Sequence, residues 1–498
     1  EFPQMIESQG GEAGIQQSPF CVRKGQTYHG SGWVRGQVSS GLVVRLIDEQ
    51  QGVLDEVRLS APKPEWQERS FEFVPRASAD NAALQVGLRG KGKVWVDQVS
   101  MMAETSRQAG GFRPDLLGAI ADLRPPIIRW PGGCFAEWYR WKDCIGPQHK
   151  RVKYPITIWD DQDVSSLGTD EFIDLCRRVG AEPLIVINIG SHDSPDRRAE
   201  YIQEACDWIE YCNGSATSRW GRVRAANGHP KPYDVKYWEI DNETWFMGAE
   251  RYVRAVRDFA PAMKKMDPAI NVAACGSGGF GMDWNREIIE GCGDLIDYLS
   301  IHHYENPNRY AQGPRRYERF IRDTATVIAQ SANPKMKIYC SEWNAQSTDW
   351  RTGLYAGGLL NGFERCGEVF EIGGPALFLR HSSATAWDNA FINFDHRSWF
   401  AAPNYVVMKL WRDHYAPNRI EIMGDTDVLN IVATKSQDGQ TLYVKCVNPG
   451  ESATQVCLDL AEGFEPAEAA KYWSFYGQGK YDLAAGHPYN SEFTQMIE

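Results

Sequence analysis

The sequence predicts a (β/α)₈ TIM barrel flanked by two β domains, a jelly-roll β-sandwich before it and a second β-sandwich after it. Its 498 residues are too many for one compact core. The middle region alternates apolar runs with amphipathic helices, whereas the regions on either side consist of short alternating segments. We therefore expect three domains, over residues 1–104, 105–415 and 416–498.

The two flanking domains are predicted from segments in which apolar and polar residues alternate, separated by turn residues. This pattern is typical of antiparallel sheets. In the first domain the segments are GLVVRLID (41–48), RSFEFVP (69–75), AALQVGLRG (82–90) and KVWVDQVSMM (93–102). In the last domain they are LNIVATK (429–435), TLYVKCVN (441–448) and TQVCLDL (454–460).

Seven apolar runs in the middle region predict parallel strands that are buried on both faces and connected by helices. They are PIIRW (126–130), EPLIVINIG (182–190), VKYWEIDNE (235–243), INVAAC (270–275), IDYLSIHHY (296–304), MKIYCSEW (336–343) and PALFLR (375–380). A closed barrel needs eight strands, so an open doubly wound sheet is the alternative.

The charge and cysteine patterns exclude several kinds of partner. The net charge is −12 and no long run of Lys or Arg occurs, which argues against nucleic acid and anionic membranes. No apolar stretch reaches the ~18 residues of a membrane span. The twelve cysteines show no C-x-x-C spacing, so a zinc site has little support. We expect no metal and no organic cofactor.

Two glutamates are candidates for catalysis. Glu243 ends the candidate strand VKYWEIDNE, and Glu342 lies near the end of MKIYCSEW. Active sites of such barrels lie at the carboxyl ends of the strands, so both carboxylates would point into one pocket. Glycoside hydrolysis needs this pair, because one carboxylic acid protonates the leaving oxygen and the other attacks the anomeric carbon. Asn242 is placed to hydrogen-bond a substrate hydroxyl beside the reacting carbon.

Other polar groups occur at neighbouring strand ends. His302 and Tyr304 alternate with His303, so they share a face. A tyrosine there would hold the nucleophile in position, and a histidine would tune the proton of the acid. The opposite directions of His302 and His303 argue against a metal site formed by this pair.

A glycine-rich segment at 276–281 fits the dinucleotide-binding pattern G-x-G-x-x-G. The acid expected at the end of the next strand is missing, since Asp297 begins that strand. We therefore interpret the segment as a β–α loop.

Two further motifs resemble glycoside hydrolase family 51, the α-L-arabinofuranosidases. The segments RWPGGCF (129–135) and WKDCIGP (141–147) are similar to that family's R-F-P-G-G-C-F…W-K-x-x-I-G-P block. The resemblance implies that Glu243 is the acid/base, that Glu342 is the nucleophile, and that His302 and Tyr304 bind substrate. It also implies that Cys134 contacts substrate, at a position that is Asn in other branches.

The flanking domains also resemble parts of family members. The first 104 residues are similar to a family 4 carbohydrate-binding module, and the last 80 to the family's C-terminal sandwich. Two departures stand out: Asp241 replaces the usual Gly, and the family's first barrel strand, which precedes the inserted sandwich, has no counterpart among the seven runs.

Three hypotheses for the function result. The first is a retaining, exo-acting α-L-arabinofuranosidase on plant cell-wall polysaccharide, with a secreted or periplasmic location favoured over a cytoplasmic one. The second is an endo-β-1,4-glucanase or xylanase, since the tryptophan-rich surroundings of the pair would suit an extended cleft. Trp138 and Trp343 are the tryptophans that we predict to bind substrate. The third is a carbohydrate-binding protein without activity.

Overall fold

The computed structural model of the protein describes residues 3–156, 158–159, 161–347, 349–384, 389–424, 428–460 and 470–474, and the backbone of 495–497. The chain forms two compact units. One comprises Glu1–Ala119 with Phe394–Trp399, and the other Ile120–Asn393 with Phe400–Glu498.

The first unit is built on six antiparallel strands. They are β1 (Gln4–Val22), β2 (Tyr28–Val38), β3 (Leu42–Asp48), β4 (Gly52–Leu59), β5 (Gln67–Phe73) and β6 (Ala79–Ala103). β6 pairs with three other strands of this sheet. Its residues 79–96 pair with β1, residues 83–88 with β3 and residues 92–103 with β2. Alternate side chains of β2 are buried, as its pattern of apolar residues and glycines requires.

The prediction of two separate strands at 82–90 and 93–102 is wrong, because both belong to β6. The intervening glycines read as a turn in the sequence. In the structure they allow close approach between strands: a Cβ at Gly92 would lie 2.2 Å from the carbonyl oxygen of Gln37.

The described residues of the second unit form seven parallel strands, as predicted. They are β7 (Ile127–Trp130), β8 (Glu182–Ile187), β9 (Tyr237–Ile240), β10 (Asn271–Gly278), β11 (Tyr298–Glu305), β12 (Lys337–Ala345) and β13 (Phe370–Pro375). Their order in the sheet follows their order in the chain from β7 to β13. An open doubly wound sheet reverses its strand order at a switch point, so that alternative is excluded and a nearly closed barrel is formed.

Helices connect these strands. The α-helices of the described residues are α1 (Glu104–Gln108), α2 (Pro114–Asp122), α3 (Thr169–Val179), α4 (Arg198–Asn213), α5 (Arg219–Ala226), α6 (Ala249–Met266), α7 (Met282–Cys292), α8 (Gly313–Ala329), α9 (Arg351–Arg365) and α10 (Pro403–Asp413). The sequence contains the residues that end such helices. For example, α3 ends at Gly180, which adopts the left-handed conformation that glycine favours. None of the helices in the described part of the chain combines the length and apolarity needed to cross a membrane.

The last barrel strand lies five residues before its predicted position. The sequence suggested PALFLR (375–380), but Phe370–Pro375 pairs with β12 instead. Two glycines interrupt the run of apolar residues in this strand, so the sequence did not indicate it. Packing requires at least one of them, because a Cβ at Gly373 would lie only 3.0 Å from the ring of Phe363. Leu379–His381 belongs to a different three-stranded sheet, with Ile392–Phe394 and Trp399–Ala401.

The region after α10 forms a three-stranded antiparallel sheet of β14 (Asn418–Ile420), β15 (Asn430–Lys435) and β16 (Leu442–Val447). Arg365 of α9 joins this sheet to the barrel by donating to the carbonyl of Ile431 at 2.8 Å. The predicted strand at 454–460 is wrong: the segment is exposed and has no strand partner in the described ranges. Residues 461–469 and 475–494 lie outside those ranges, and Tyr472–Ser474 pairs with Gln495–Ile497.

Candidate active site

The predicted catalytic residues meet at the carboxyl ends of three strands of the barrel sheet, β9, β11 and β12. Glu342 and His302 are cross-strand neighbours on β12 and β11, where the pairing shifts register just before His302. Glu243 follows β9 by three residues and has φ 45°, as Asp241 has φ 61°. These two left-handed residues turn the chain sharply after β9, which brings Glu243 over the end of the barrel.

The two carboxylates are close to each other and share one imidazole. Glu243, His302 and Glu342 each offer an atom, and these atoms all lie within 4.8 Å of one another. His302 Nδ1 lies 2.8 Å from Glu243 Oε1 and 3.8 Å from Glu342 Oε2. Burial of His302 opposes its charged form, but the charge of Glu342 and the hydrogen bond with Glu243 outweigh burial and raise the pKa of the imidazole.

Glu342 is held in its ionised form by donors on both oxygens. Arg129 Nη1 donates to Oε1 at 2.9 Å, and the hydroxyl of Tyr304 donates to Oε2 at 2.7 Å. Burial opposes ionisation, yet the charges of His302 and Arg129 and these two hydrogen bonds prevail, so the pKa of Glu342 is lowered. This carboxylate is therefore fixed in direction and negatively charged.

Sequence reasoning missed the group that supports this arrangement. Arg129 on β7 donates from Nε to Glu239 Oε2 at 2.6 Å and from Nη2 to Asn242 Oδ1 at 2.7 Å. The side chain of Glu239 is 0% exposed and also accepts from Ser300 Oγ at 2.6 Å. A glutamate inside a fully buried strand needs a cation, and this signal in YWEI was available in the sequence.

Glu243 has a different environment. Its side chain is 25% exposed, compared with 12% for Glu342. Cys134 Sγ lies 3.8 Å from Glu243 Oε2, and Asn242 Nδ2 lies 3.8 Å from the same sulfur. Burial, reinforced by the charge of Glu243, raises the pKa of Cys134 to about 12, so the thiol stays neutral and acts as a weak donor. The structure thus brings Asn242 and Cys134 to the pair.

The glycine-rich segment serves packing at this site. A Cβ at Gly278 would lie 2.6 Å from the indole of Trp245, and the indole Nε1 donates to the carbonyl of Gly276 at 2.9 Å. Trp245 in turn packs edge-on against His302, with ring centroids 5.9 Å apart. The segment ends β10 and leads into α7, in agreement with the β–α loop interpretation.

The two tryptophans predicted to bind substrate lie in different places. Trp343 is 0% exposed and packs against Phe363 and Phe391 in the core, because its side chain points opposite to that of Glu342 on the same strand. It is not brought to the cluster, and its predicted contact with substrate is withdrawn. Trp138 is 48% exposed, in the loop after β7.

The ligand atoms of Glu243, His302 and Glu342 lie close enough together to bind a cation. Glu342 already accepts hydrogen bonds on both oxygens, and the guanidinium of Arg129 lies 2.9 Å from one of them. A cation here would meet that positive charge directly, so we interpret the cluster as a hydrogen-bonded acid–base pair. The absence of a metal stays a prediction.

Comparisons with known proteins agree with this geometry. The family model of the alpha-L-arabinofuranosidase 1 domain matches residues 119–322. The thermostable GH51 alpha-L-arabinofuranosidase of Thermotoga petrophila RKU-1 is 28% identical with a TM-score of 0.60, over 68% of this chain and 76% of that structure. The chain is thus similar to GH51 alpha-L-arabinofuranosidases in sequence and in fold.

Two curated relatives extend the similarity. The extracellular exo-alpha-L-arabinofuranosidase of Streptomyces chartreusis is 27% identical, over 93% of this chain and 58% of the relative. The intracellular exo-alpha-(1->5)-L-arabinofuranosidase of Halalkalibacterium halodurans is 31% identical, over 47% of this chain and 49% of the relative. This GH51 arabinofuranosidase-like chain thus spans about half to three-fifths of their length. The fold prediction, a TIM barrel with flanking β domains, is confirmed.

Proposed function

We propose that this protein is a retaining, exo-acting α-L-arabinofuranosidase that releases arabinose from arabinose-bearing plant polysaccharides by double displacement. The observation that supports it most is the spacing of the pair, whose carboxylate oxygens approach within 4.8 Å. Retaining enzymes hold their carboxyl groups about 5–5.5 Å apart, whereas inverting enzymes leave about 6.5–9.5 Å for a water molecule. The short spacing favours direct attack on the sugar.

The surroundings of each glutamate suggest its role. Glu342 carries the negative charge, since Arg129 and Tyr304 stabilise it, and it is aligned as the nucleophile. Glu243 is the more exposed of the two and is hydrogen-bonded to His302, which suits a group that gives up and regains a proton.

In the first step Glu243 protonates the glycosidic oxygen while Glu342 bonds to the anomeric carbon, and the leaving group departs as an alcohol. In the second step Glu243 takes a proton from a water molecule, which attacks the same carbon and restores the Glu342 carboxylate. Asn242 and Cys134 lie beside Glu243, within reach of hydroxyl groups of the bound sugar.

The exo mode and the substrate are supported by the names of the two curated relatives, both exo-acting arabinofuranosidases. One relative is named extracellular and the other intracellular. A secreted or periplasmic location therefore stays a prediction, as does the role of residues 1–104 as a carbohydrate-binding module.

Product analysis tests the proposal. Wild type, Glu342→Ala and the surface control Glu250→Ala, whose partner is the exposed Arg254, are incubated with p-nitrophenyl α-L-arabinofuranoside, arabinoxylan, xylan and carboxymethylcellulose. We expect free arabinose from the first two substrates, with wild type and control alike, and none with Glu342→Ala. NMR of the first product should show retained anomeric configuration.

Other products would contradict the proposal in identifiable ways. Oligosaccharides from xylan or cellulose would indicate an endo-enzyme, and inverted configuration would exclude a covalent intermediate. Binding without hydrolysis of any of the four substrates would indicate a carbohydrate-binding protein.

A further inference from the structure

Three rings at the rim of the barrel form a continuous stack that the catalytic roles above do not use. His192 lies between Trp138 and Phe246, with centroid distances of 4.6 and 4.7 Å and interplanar angles of 12° and 14°. Trp138 and Phe246 are 48% and 56% exposed, although His192 already covers one face of each. Their outer faces are therefore open to solvent.

The stack is built from the loops after three adjacent strands. Trp138 follows the 3₁₀ turn Gly133–Glu137 after β7, His192 follows β8, and Phe246 lies in the turn Thr244–Met247 after β9. Loops at this end of a barrel carry substrate-binding groups. Clustered exposed aromatic rings at such a rim cost solvation free energy unless a ligand covers them.

A hydrogen bond fixes the orientation of His192, the central ring of the stack. The buried carboxylate of Glu137 hydrogen-bonds to His192 Nε2. Asn188, which follows β8, donates to the carbonyl of Glu137 at 2.6 Å and so ties the first two loops together. Burial, with a smaller contribution from the charge of Glu243, raises the pKa of Glu137 to about 7. The rings are thus preorganised, and binding would not need to order them.

The loops that carry the stack are also close to Glu243. Phe246 is three residues after Glu243, a rise of about 6 Å in a 3₁₀ turn. The turn that precedes Trp138 contains Cys134, whose sulfur contacts Glu243. An acid that protonates the glycosidic oxygen must face the leaving group. With Glu243 as the acid, the leaving group would therefore lie close to the stack.

We propose that the Trp138–His192–Phe246 stack is a leaving-group subsite that holds a sugar ring of an oligosaccharide or polysaccharide chain by contact with its C–H face. This inference rests on the proposed function, since it takes Glu243 as the acid/base. It predicts that the protein distinguishes substrates by the size and shape of their leaving group.

The test compares two arabinosides that differ only in the leaving group. Methyl α-L-arabinofuranoside has a leaving group too small to stack, whereas in α-1,5-arabinobiose the leaving group is a sugar. For Trp138→Ala and Phe246→Ala we expect kcat/KM on arabinobiose to fall about tenfold, as expected for loss of an aromatic face. On the methyl glycoside the change should stay below about twofold, and Trp138→Phe, which keeps an aromatic face, should recover most of the loss.

A control variant is Tyr415→Ala, because this ring is 54% exposed but lies beyond α10. Its kcat/KM should equal that of the wild type on both arabinosides. An equal fall on both substrates, or no fall on arabinobiose, would overturn the subsite. If wild type hydrolyses neither arabinoside, the proposed function fails by itself. The subsite is then judged by calorimetric titration with xylo-oligosaccharides, where binding weakened by Trp138→Ala supports it and unchanged binding overturns it.

Discussion

Replacing Tyr304 with phenylalanine tests whether its hydroxyl keeps the nucleophile ionised. The hydroxyl donates to Glu342 Oε2 at 2.7 Å, inside a buried cluster. A hydrogen bond to a charged group is worth about 1.5–3 kcal/mol. One pKa unit corresponds to about 1.4 kcal/mol. Loss of this hydrogen bond should therefore raise the pKa of Glu342 by about one to two pKa units in the variant.

The sign follows from the role proposed for the group. In that mechanism Glu342 must be ionised to attack, so activity should be lost as the pH falls through its lowered pKa. Raising that pKa should move the acidic limb of the kcat/KM profile to higher pH by about one to two pH units. The assay is the pH dependence of p-nitrophenyl arabinofuranoside hydrolysis.

A matched control is Tyr317→Phe, since this buried hydroxyl contacts Cys340 Sγ at 3.6 Å and not a carboxylate. Its acidic limb should stay with that of the wild type. If the limb does not move in Tyr304→Phe, or moves equally in both variants, the hydroxyl does not stabilise the charge of Glu342 and the reasoning is refuted.

Three further substitutions test the network around the pair. Arg129→Met leaves two buried carboxylates without their cation, so the free energy of unfolding in urea should fall by about 3–5 kcal/mol. Gly278→Ala places a methyl group 2.6 Å from the indole of Trp245, so it should lower stability by about 1–3 kcal/mol and reduce kcat/KM. Burial, and then the charge of Glu137, raises the pKa of Asp241 to about 7 in the folded protein. The unfolded chain therefore ionises first, so stability falls between about pH 4 and 7; Asp241→Asn should remove that loss, which is about 4 kcal/mol above pH 7.

Each of these has an outcome that would contradict it. Arg254→Met removes an exposed ion pair and should cost less than about 1 kcal/mol; an equal loss for Arg129→Met would mean that its network contributes little. Gly118→Ala, with open space around the added methyl group, should not destabilise the protein as Gly278→Ala does. For Asp241→Asn, stability that still falls with pH as in the wild type would show that another group causes the loss.

The sequence by itself predicted the parallel strands, apart from the position of the last one, and the candidate catalytic pair. Strands buried on both faces produce continuous apolar runs, so their approximate positions are local information. Glu243 and Glu342 could be selected because strand ends converge in a barrel, whatever the details of packing. That His302 and Tyr304 share a face followed from side-chain alternation along β11.

Only the tertiary structure decided which side chains contact each other across the sheet. Arg129 reaches Glu239 and Glu342, which are 110 and 213 residues away in the chain, and no local pattern encodes those distances. The stack at the rim likewise joins loops of three strands. Trp343 was misassigned because residue type indicates affinity for sugars, whereas burial depends on which face of β12 meets the core. Local sequence fixes which faces a strand presents, but non-local packing decides what each face meets.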